Sequence, residues 1–510
     1  MRCLRKLASL ALLLLSACAQ LPPRPDLAEE VAPPVGRESP LDALIEPAET
    51  AHAGASGFRL TSEGPEAFAV RAHSARLAER TLDVQTYIWH ADLVGRFLTQ
   101  LLLDAADRGV RVRLLVDDLD ARAKNYAFAA LAAHQNIEVR MFNPLASRAG
   151  TLAKIGEFMT SAKRLNHRMH NKTWIADNRI AVVGGRNLGD EYFGASEEAN
   201  FVDLDFAMIG PVVRDISASF DRYWNSAAAY PMAALSPESV TASALTELRG
   251  TLAPAVEEAK TGRYAELLRR DDAVRRFIDG DWPLTWSSDY RFVSDDPLKA
   301  TREPGIERSD VLGVLQPVVA GTERELTLIS PYFVPGKKGT AAIAEIAKRG
   351  QAVRVLTNSL AANDVAAVHG GYSEYRRPLL ESGVSIWELK PLPGTKPSYA
   401  LFGSKKASLH TKALEVDGRR LFVGSYNLDP RSTALNCEQG VLVSSAELAA
   451  ELDALFLEQA APDHAWRVSL ADGQMSWTDG TDTFTRDPVA SFGKRFLAWL
   501  TSILPLETQL

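Results

Sequence analysis

Cysteine is nearly missing from this 510-residue chain; Cys3, Cys18 and Cys437 are the three present. One body cysteine and two near the N-terminus cannot build a disulfide framework or a cysteine-ligated metal cluster. Long apolar runs are missing too. Leu7 to Leu15 is the apolar heart of "MRCLRKLASLALLLLSACAQ". It falls well short of the ~20 residues that span a bilayer. A surplus of positive charge is absent, since the formal net charge is -7. That argues against a broad basic face that tracks polyanions, although a small basic pocket remains compatible with it.

What is present begins with a leader. Arg2, Arg5 and Lys6 precede the apolar run, the pattern of a secretion signal over 1–17. "LSAC" is similar to a bacterial lipobox and predicts cleavage before Cys18 with lipidation of its thiol. Ala19 after the cysteine points to a lipoprotein facing the periplasm, at the outer membrane, with the inner membrane as the alternative. Residues 18–56 are rich in proline, alanine and acid ("LPPRPDLAEEVAPP"). They show no hydrophobic period and read as an extended tether, with a reach of roughly 100 Å in a polyproline-like state.

The rest of the chain repeats itself. "RTLDVQTYIW", "GRFLTQLLLDAADRG" and "VRVRLLVDD" read as strand, helix and strand; "ERELTLISPYFV", "TAAIAEIAKRG" and "AVRVLTNS" read the same way. Both helices end in Arg-Gly, at Arg108-Gly109 and Arg349-Gly350. Such units build a mostly parallel sheet with helices on it. The boundaries read as a first repeat at 57–234, connecting helices at 235–288 and a second repeat at 289–510.

A second pattern recurs in the same register. "HNKTWIADNRIAVVGGRN" starts at His170 and "HTKALEVDGRRLFVGSYN" at His410, 240 positions later, while the Arg-Gly pairs lie 241 apart. This is an internal duplication. Alternation along a strand places His170, Lys172 and Trp174 on one side, and His410 with Lys412 likewise. Asp177-Asn178 and Asp417-Gly418 mark tight turns, each followed by an apolar strand and a loop with Asn187 or Asn427. The turn aspartates suit hairpin support, although they complete the repeated motif with the histidines and lysines. Imidazole, ammonium and carboxamide suit a phosphodiester: the last two hold non-bridging oxygens, and the first attacks phosphorus or carries a proton. Two copies facing each other supply a nucleophile and an acid in line.

These motifs resemble those of the phospholipase D superfamily, with its paired H-x-K-D signatures. "LDVQTYIW", "VGGRNLGDEYFG", "SPYFVPG", "NSLAANDVAAVHGGYSEYRRPLLESGV" and "GSYNLDPRSTALNCE" resemble bacterial cardiolipin synthases of the C type, over most of residues 57–510. The resemblance implies an α/β fold of two pseudo-symmetric lobes, each a mixed, mostly parallel sheet flanked by helices, around one active site, and a ping-pong reaction without metal or other cofactor. Its catalytic set maps onto His170, Lys172, Asp177, His410, Lys412 and Asp417. Asn187, Asn427 and Ser425 would bind phosphate, with Glu438 and, in the first half, Asp203 (rival Asp205) bracing the histidines. Gly184-Gly185 departs from the usual Gly-Ser that Gly424-Ser425 keeps. His170 would take the phosphatidyl group as a phosphohistidine and His410 would act as the acid.

The expected activity is a phosphatidyl transfer that makes cardiolipin from phosphatidylglycerol and a second phospholipid; the alternative is hydrolysis of phospholipids, with nucleic acid less favoured. Expected partners are phospholipid and a membrane surface, and a bell-shaped rate profile around neutral pH follows. Three further readings come from position alone. "VDDLD" (Asp117, Asp118, Asp120) reads as a solvated strand end rather than a metal site. His369 and Tyr372 either line the pocket or pack. The C-terminal "ASFGKRFLAWLTSILPLETQL" is amphipathic, either packed on the body or lying on a bilayer.

Overall fold

The computed structural model describes residues 21–36, 38–121, 125–146, 165–197, 199–301, 309–363, 365–391 and 409–502. The expected leader and Cys18 lie outside the described residues.

Two sheets carry the fold. The first contains β1 (Ser56–Thr61), β2 (Thr81–Thr86), β3 (Arg111–Asp117), β4 (Ile137–Phe142), β5 (Thr173–Ala176), β6 (Ile180–Gly184), β7 (Asp205–Ile209), β8 (Ala229–Pro231) and β9 (Thr285–Ser287), in the order β8-β4-β3-β2-β5-β6-β7-β1-β9. The second contains β10 (Tyr290–Ser294), β11 (Glu325–Ile329), β12 (Ala352–Asn358), β13 (Ser385–Leu389), β14 (Ala413–Val416), β15 (Arg420–Gly424), β16 (Gln439–Ser444), β17 (Ala465–Ala471), β18 (Gln474–Thr478) and β19 (Thr483–Phe484). Its order is β10-β16-β15-β14-β11-β12-β13-β17-β18-β19. The seven-strand run β4-β3-β2-β5-β6-β7-β1 reappears as β13-β12-β11-β14-β15-β16-β10, so the duplication read from the motifs is structural.

The sheets are mixed, as expected, although antiparallel pairs outnumber parallel ones. Parallel pairing is confined to β2–β3–β4 and β11–β12–β13; the motif hairpins and every strand beyond them run antiparallel. The physical reason is local. Helical crossovers force parallel neighbours. The two-residue turns of the motifs can only reverse the chain, with Asp177 and Asn178 at φ 53° and 56° and Asp417 and Gly418 at 60° and 66°.

Alternation along the strands sorts the core. Leu82, Val84, Val112, Leu114 and Val116 point to the helices Gly64–Leu77 and Leu93–Asp107. Leu115, Ile175, Val183 and Phe206 instead join Ile329, Leu356, Val423 and Val441 in one buried cluster shared by both lobes. The helices Pro211–Asn225 and Ala446–Gln459 contribute to the same cluster. A shared apolar core of this kind makes the lobes one body, because separating them would expose it to water.

The N-terminal segment is not a free tether over 21–54. Arg24 Nε donates to Ala229 O at 2.9 Å, Asn225 Nδ2 to Glu30 O at 2.7 Å, and the Ala32 N–H to Asp221 Oδ2 at 2.8 Å. A helix, Pro40–Ala51, follows; it is capped by Ser39 and buries Leu41 and Ile45 one turn apart. Its buried Asp42 binds Arg80 Nη1 at 2.6 Å and Arg179 Nε at 2.6 Å, fastening the strap to the first motif hairpin. Composition masked these specific anchors. Residues 242–278 form three helices packed on the first lobe. Among the described residues no helix is long and apolar enough to cross a membrane.

Candidate active site

The two histidine segments leave their own lobes to reach the other. Ahead of β5, Met169 bridges to Cys437, and the His170 N–H donates to Cys437 O at 2.9 Å. Ahead of β14, Leu409 bridges to Val202, and the His410 N–H donates to Val202 O at 2.8 Å. Both histidines thus sit in extended chain just before their strands, and Trp174 is drawn into the helical layer, donating to Ser74 Oγ at 3.1 Å.

Each imidazole is braced by a carboxylate from the opposite lobe. His170 Nδ1 lies 2.9 Å from Glu438 Oε2, and His410 Nδ1 lies 2.6 Å from Asp203 Oδ2. A neutral imidazole held this way keeps its proton on Nδ1 and presents the Nε2 lone pair. Glu438 is itself held by the Ser425 hydroxyl and by Ser432 Oγ at 2.8 Å. Asp205, the rival carboxylate, is consumed by Arg71 at 2.9 Å and Arg186. Aromatic rings close the walls: Tyr87 meets His170 edge-on at 5.2 Å, while Tyr192 at 5.2 Å and Phe201 at 5.7 Å flank His410.

The glycine departure in the first half has a steric cause. A Cβ on Gly185 would lie 2.1 Å from Asp203 Oδ1. Asp203 is one methylene shorter than Glu438, so its carboxylate fills the space that the Ser425 side chain occupies in the second lobe.

Electrostatically the two motifs form one site. Burial lowers the His170 pKa to about 4, with Lys172 and Lys412 opposing the charge and Glu438 favouring it. Burial also lowers His410 to about 4, with Lys412 and Lys172 again opposing and Asp203 favouring protonation. Each lysine therefore acts on both imidazoles. Lys172 falls well below its ordinary value through burial. Burial alone would raise Glu438 and Asp203, but their histidine and lysine neighbours hold both below the usual carboxylate range. Each lysine also donates to the carbonyl of the histidine two residues earlier, and Lys172 Nζ lies 5.3 Å from the centre of the Tyr87 ring.

The asparagines lie nearby with spare acceptors. Asn187 Nδ2 donates to Tyr192 Oη at 2.9 Å, and the Asn427 N–H donates to Ser432 Oγ at 3.3 Å. The buried Oδ1 atoms of both have no hydrogen-bond partner.

Asp177 and Asp417, grouped with the catalytic residues by the motif, stand elsewhere. Asp177 accepts the backbone N–H groups of Glu79, Arg80 and Thr81, and Asp417 those of Glu323, Arg324 and Glu325. They clamp the hairpin turns to the starts of β2 and β11, and contact neither histidine.

Asp117 is not a solvated strand end. It is fully buried; its Oδ2 accepts the Met169 N–H at 2.9 Å, and its Oδ1 lies 3.1 Å from Arg168 Nη1. Asp118 is equally buried and accepts the Leu145 N–H at 2.8 Å. At the corresponding end of β12, Asn358 Oδ1 accepts the Leu409 N–H at 3.0 Å and its Nδ2 donates to Leu409 O at 3.0 Å. Asp117 and Asn358, 241 positions apart, thus hold the residue before each histidine. The duplication register marks them as equivalents, but aspartate against asparagine hid their common job. His167 is buried and joined across the lobes, its Nδ1 3.0 Å from Leu435 O. His369 and Tyr372 belong to a buried network: His369 Nε2 lies 3.2 Å from Asp487, and Tyr372 Oη donates to Glu388 at 3.1 Å.

The chain is similar to known proteins along most of its length. The family described as "Cardiolipin synthase, PLD-like domain" matches residues 73–224 and 318–460. Cardiolipin synthase C of Escherichia coli (strain K12) is 39% identical over 483 residues, covering 92% of this chain and 99% of that protein. Cardiolipin synthase A of Pseudomonas syringae pv. syringae (strain B728a) is 26% identical over 400 residues, covering 78% and 67%. Among solved structures, phosphatidylserine synthase from Haemophilus influenzae Rd KW20 shares the fold with a TM-score of 0.58 at 13% identity, covering 91% of this chain and 99% of that one. Two matched copies, two braced histidines and a relative similar along nearly its whole length place the chain in the cardiolipin synthase family of phospholipase D-type enzymes.

Proposed function

We propose that the protein is a phosphatidyltransferase that makes cardiolipin from phosphatidylglycerol and a second phospholipid through a phosphohistidine. The observation that carries this reading is the pair of carboxylate-braced imidazoles, one from each lobe, beside Lys172 and Lys412. With both imidazoles neutral, two carboxylates and two ammonium groups balance, and a phosphodiester brings one further negative charge that favours a proton on one ring. His170 Nε2 attacks the phosphorus of the donor phospholipid; its headgroup oxygen leaves with the proton of His410, whose charge Asp203 supports. A free glycerol hydroxyl of phosphatidylglycerol then gives its proton to His410 and takes the phosphatidyl group as the bond from phosphorus to His170 breaks. Lys172, Lys412 and the carboxamides of Asn187 and Asn427 hold the non-bridging oxygens as charge gathers there.

Incubating the purified protein with labelled phosphatidylglycerol, with and without phosphatidylethanolamine, tests the reading. Cardiolipin is the expected product; phosphatidic acid alone would leave only a hydrolase. His170→Ala and His410→Ala are each expected to abolish turnover. The expected leader carries a second part of the proposal: a Cys18 lipidated on its thiol at the N-terminus of the mature protein, facing the periplasm. Intact-mass measurement of membrane-extracted protein, compared with Cys18→Ala, tests it.

A further inference from the structure

The helix Phe492–Ser502 is docked on one face and bare on the other. Lys494, Ala498 and Thr501 are buried, the last two against the helix Ala366–Glu381. A Cβ on Gly370 would lie 2.4 Å from Ala498 O and 2.3 Å from Thr501 Oγ1, so the two helices touch backbone to backbone. Lys494 Nζ donates to Ala361 O at 2.9 Å and Asn363 O at 2.8 Å. On the opposite side Phe492, Phe496 and Trp499 are 82%, 51% and 57% exposed. Their rings form a continuous ladder, with centroids 6.5 Å and 5.8 Å apart. Val489 extends the patch at 70% exposure. Three large rings left in water on a firmly anchored helix mark a surface made to be covered.

Charge and position select the occupant. Exposed Arg486 precedes the ladder in sequence, and exposed Arg495 lies on the same helix next to Phe496. The carboxylate between them in sequence, Asp487, is already bound by Arg376 at 2.8 Å and by His369. The patch is therefore cationic on a chain whose net charge is -7. It also lies at the catalytic end of the second sheet. Leu409, beside His410, is held by Asn358; the turn after Asn358 supplies the Ala361 and Asn363 carbonyls that grip Lys494.

Resting on the proposed lipid-transfer reading, we infer that the Phe492–Phe496–Trp499 face inserts into an anionic phospholipid surface and sets the catalytic end of the second lobe against its substrate. Aromatic rings flanked by arginine suit the headgroup boundary, where the rings reach acyl carbons and the guanidinium groups meet phosphate.

The test uses the full chain reconstituted on vesicles of phosphatidylglycerol and phosphatidylethanolamine with brominated acyl chains. Part of the tryptophan emission is expected to be quenched, and Trp499→Phe should remove that part, whether or not cardiolipin forms. Phe492→Ala/Phe496→Ala/Trp499→Ala should lower turnover of vesicle lipid by about tenfold or more while leaving turnover of monomeric short-chain phosphatidylglycerol within about twofold. Quenching indifferent to Trp499→Phe would overturn the inference. So would equal losses on both substrates, or a fall from dimer to monomer by light scattering in the triple variant, which would show that a second copy covers the face.

Discussion

His170 is braced by Glu438, a residue of the other lobe, at 2.9 Å, and the exchange is reciprocated by His410 and Asp203 at 2.6 Å. Glu438→Gln and Asp203→Asn keep the shapes but remove the charge that fixes the Nδ1 proton. Each is expected to lower kcat by about 10²-fold or more with little change in KM, checked by steady-state kinetics on short-chain phosphatidylglycerol.

Burial places both imidazoles at about 4, below their ordinary value near 6.5. The nucleophile must be neutral. The acid limb of kcat/KM is therefore expected to lie well under the usual imidazole range and to approach about 4, rather than to centre a bell on neutrality. The same shifts have a stability consequence. The unfolded chain takes up protons from about 6.5 downward, before the folded chain does. Stability is thus full above that pH and is lost as pH falls from 6.5 toward 4. Chemical denaturation across pH should show this slope, shallower in His170→Gln.

Gly185 cannot carry a side chain while Asp203 stays in place, because the added carbon would lie 2.1 Å from Oδ1. Gly185→Ala should push Asp203 from His410 and cost about 10²-fold in kcat, the scale expected when a reacting group is misplaced by about 1 Å. Gly185→Ser should not rescue it, although serine is the residue of the second lobe.

Much of this site was legible in the sequence, and the reasons are physical. A histidine and lysine two apart, a turn pair and an asparagine recur with fixed spacing because one hairpin geometry serves twice. The carboxylates Glu438 and Asp203 could be named from motif position, but their exchange between lobes depends on how two sheets meet across a common core, which no local pattern encodes. The role of Asp117 escapes a reading of sequence for a similar reason. A carboxylate at a strand end looks solvated unless the chain that covers it, here Met169, is known to arrive from 52 residues away.

Asp117 and Asn358 hold the backbone before the two histidines in the same way. Asp117→Asn keeps an acceptor for Met169 and should retain kcat within about tenfold, whereas Asp117→Ala should lose about 10²-fold. Comparing both variants at equal folded fraction separates placement of His170 from loss of the Arg168 ion pair, which weakens both.

Asp177 accepts three backbone N–H groups at the far end of the first hairpin. Asp177→Ala leaves them unsatisfied and should cost about 3 kcal/mol of stability. Activity per folded molecule should stay near that of the native chain, measured by combining denaturant melts with kinetics. A loss of kcat without a loss of stability would return this aspartate to the chemistry.

The reciprocal bracing bears on how the halves of this enzyme can diverge. A gene duplication normally frees each copy to drift on its own. Here an alteration beside Glu438 is felt by an imidazole encoded in the first half, and one beside Asp203 by an imidazole encoded in the second. Neither half can be altered at its brace alone without disturbing the histidine of the other, so compensating changes are expected in opposite halves.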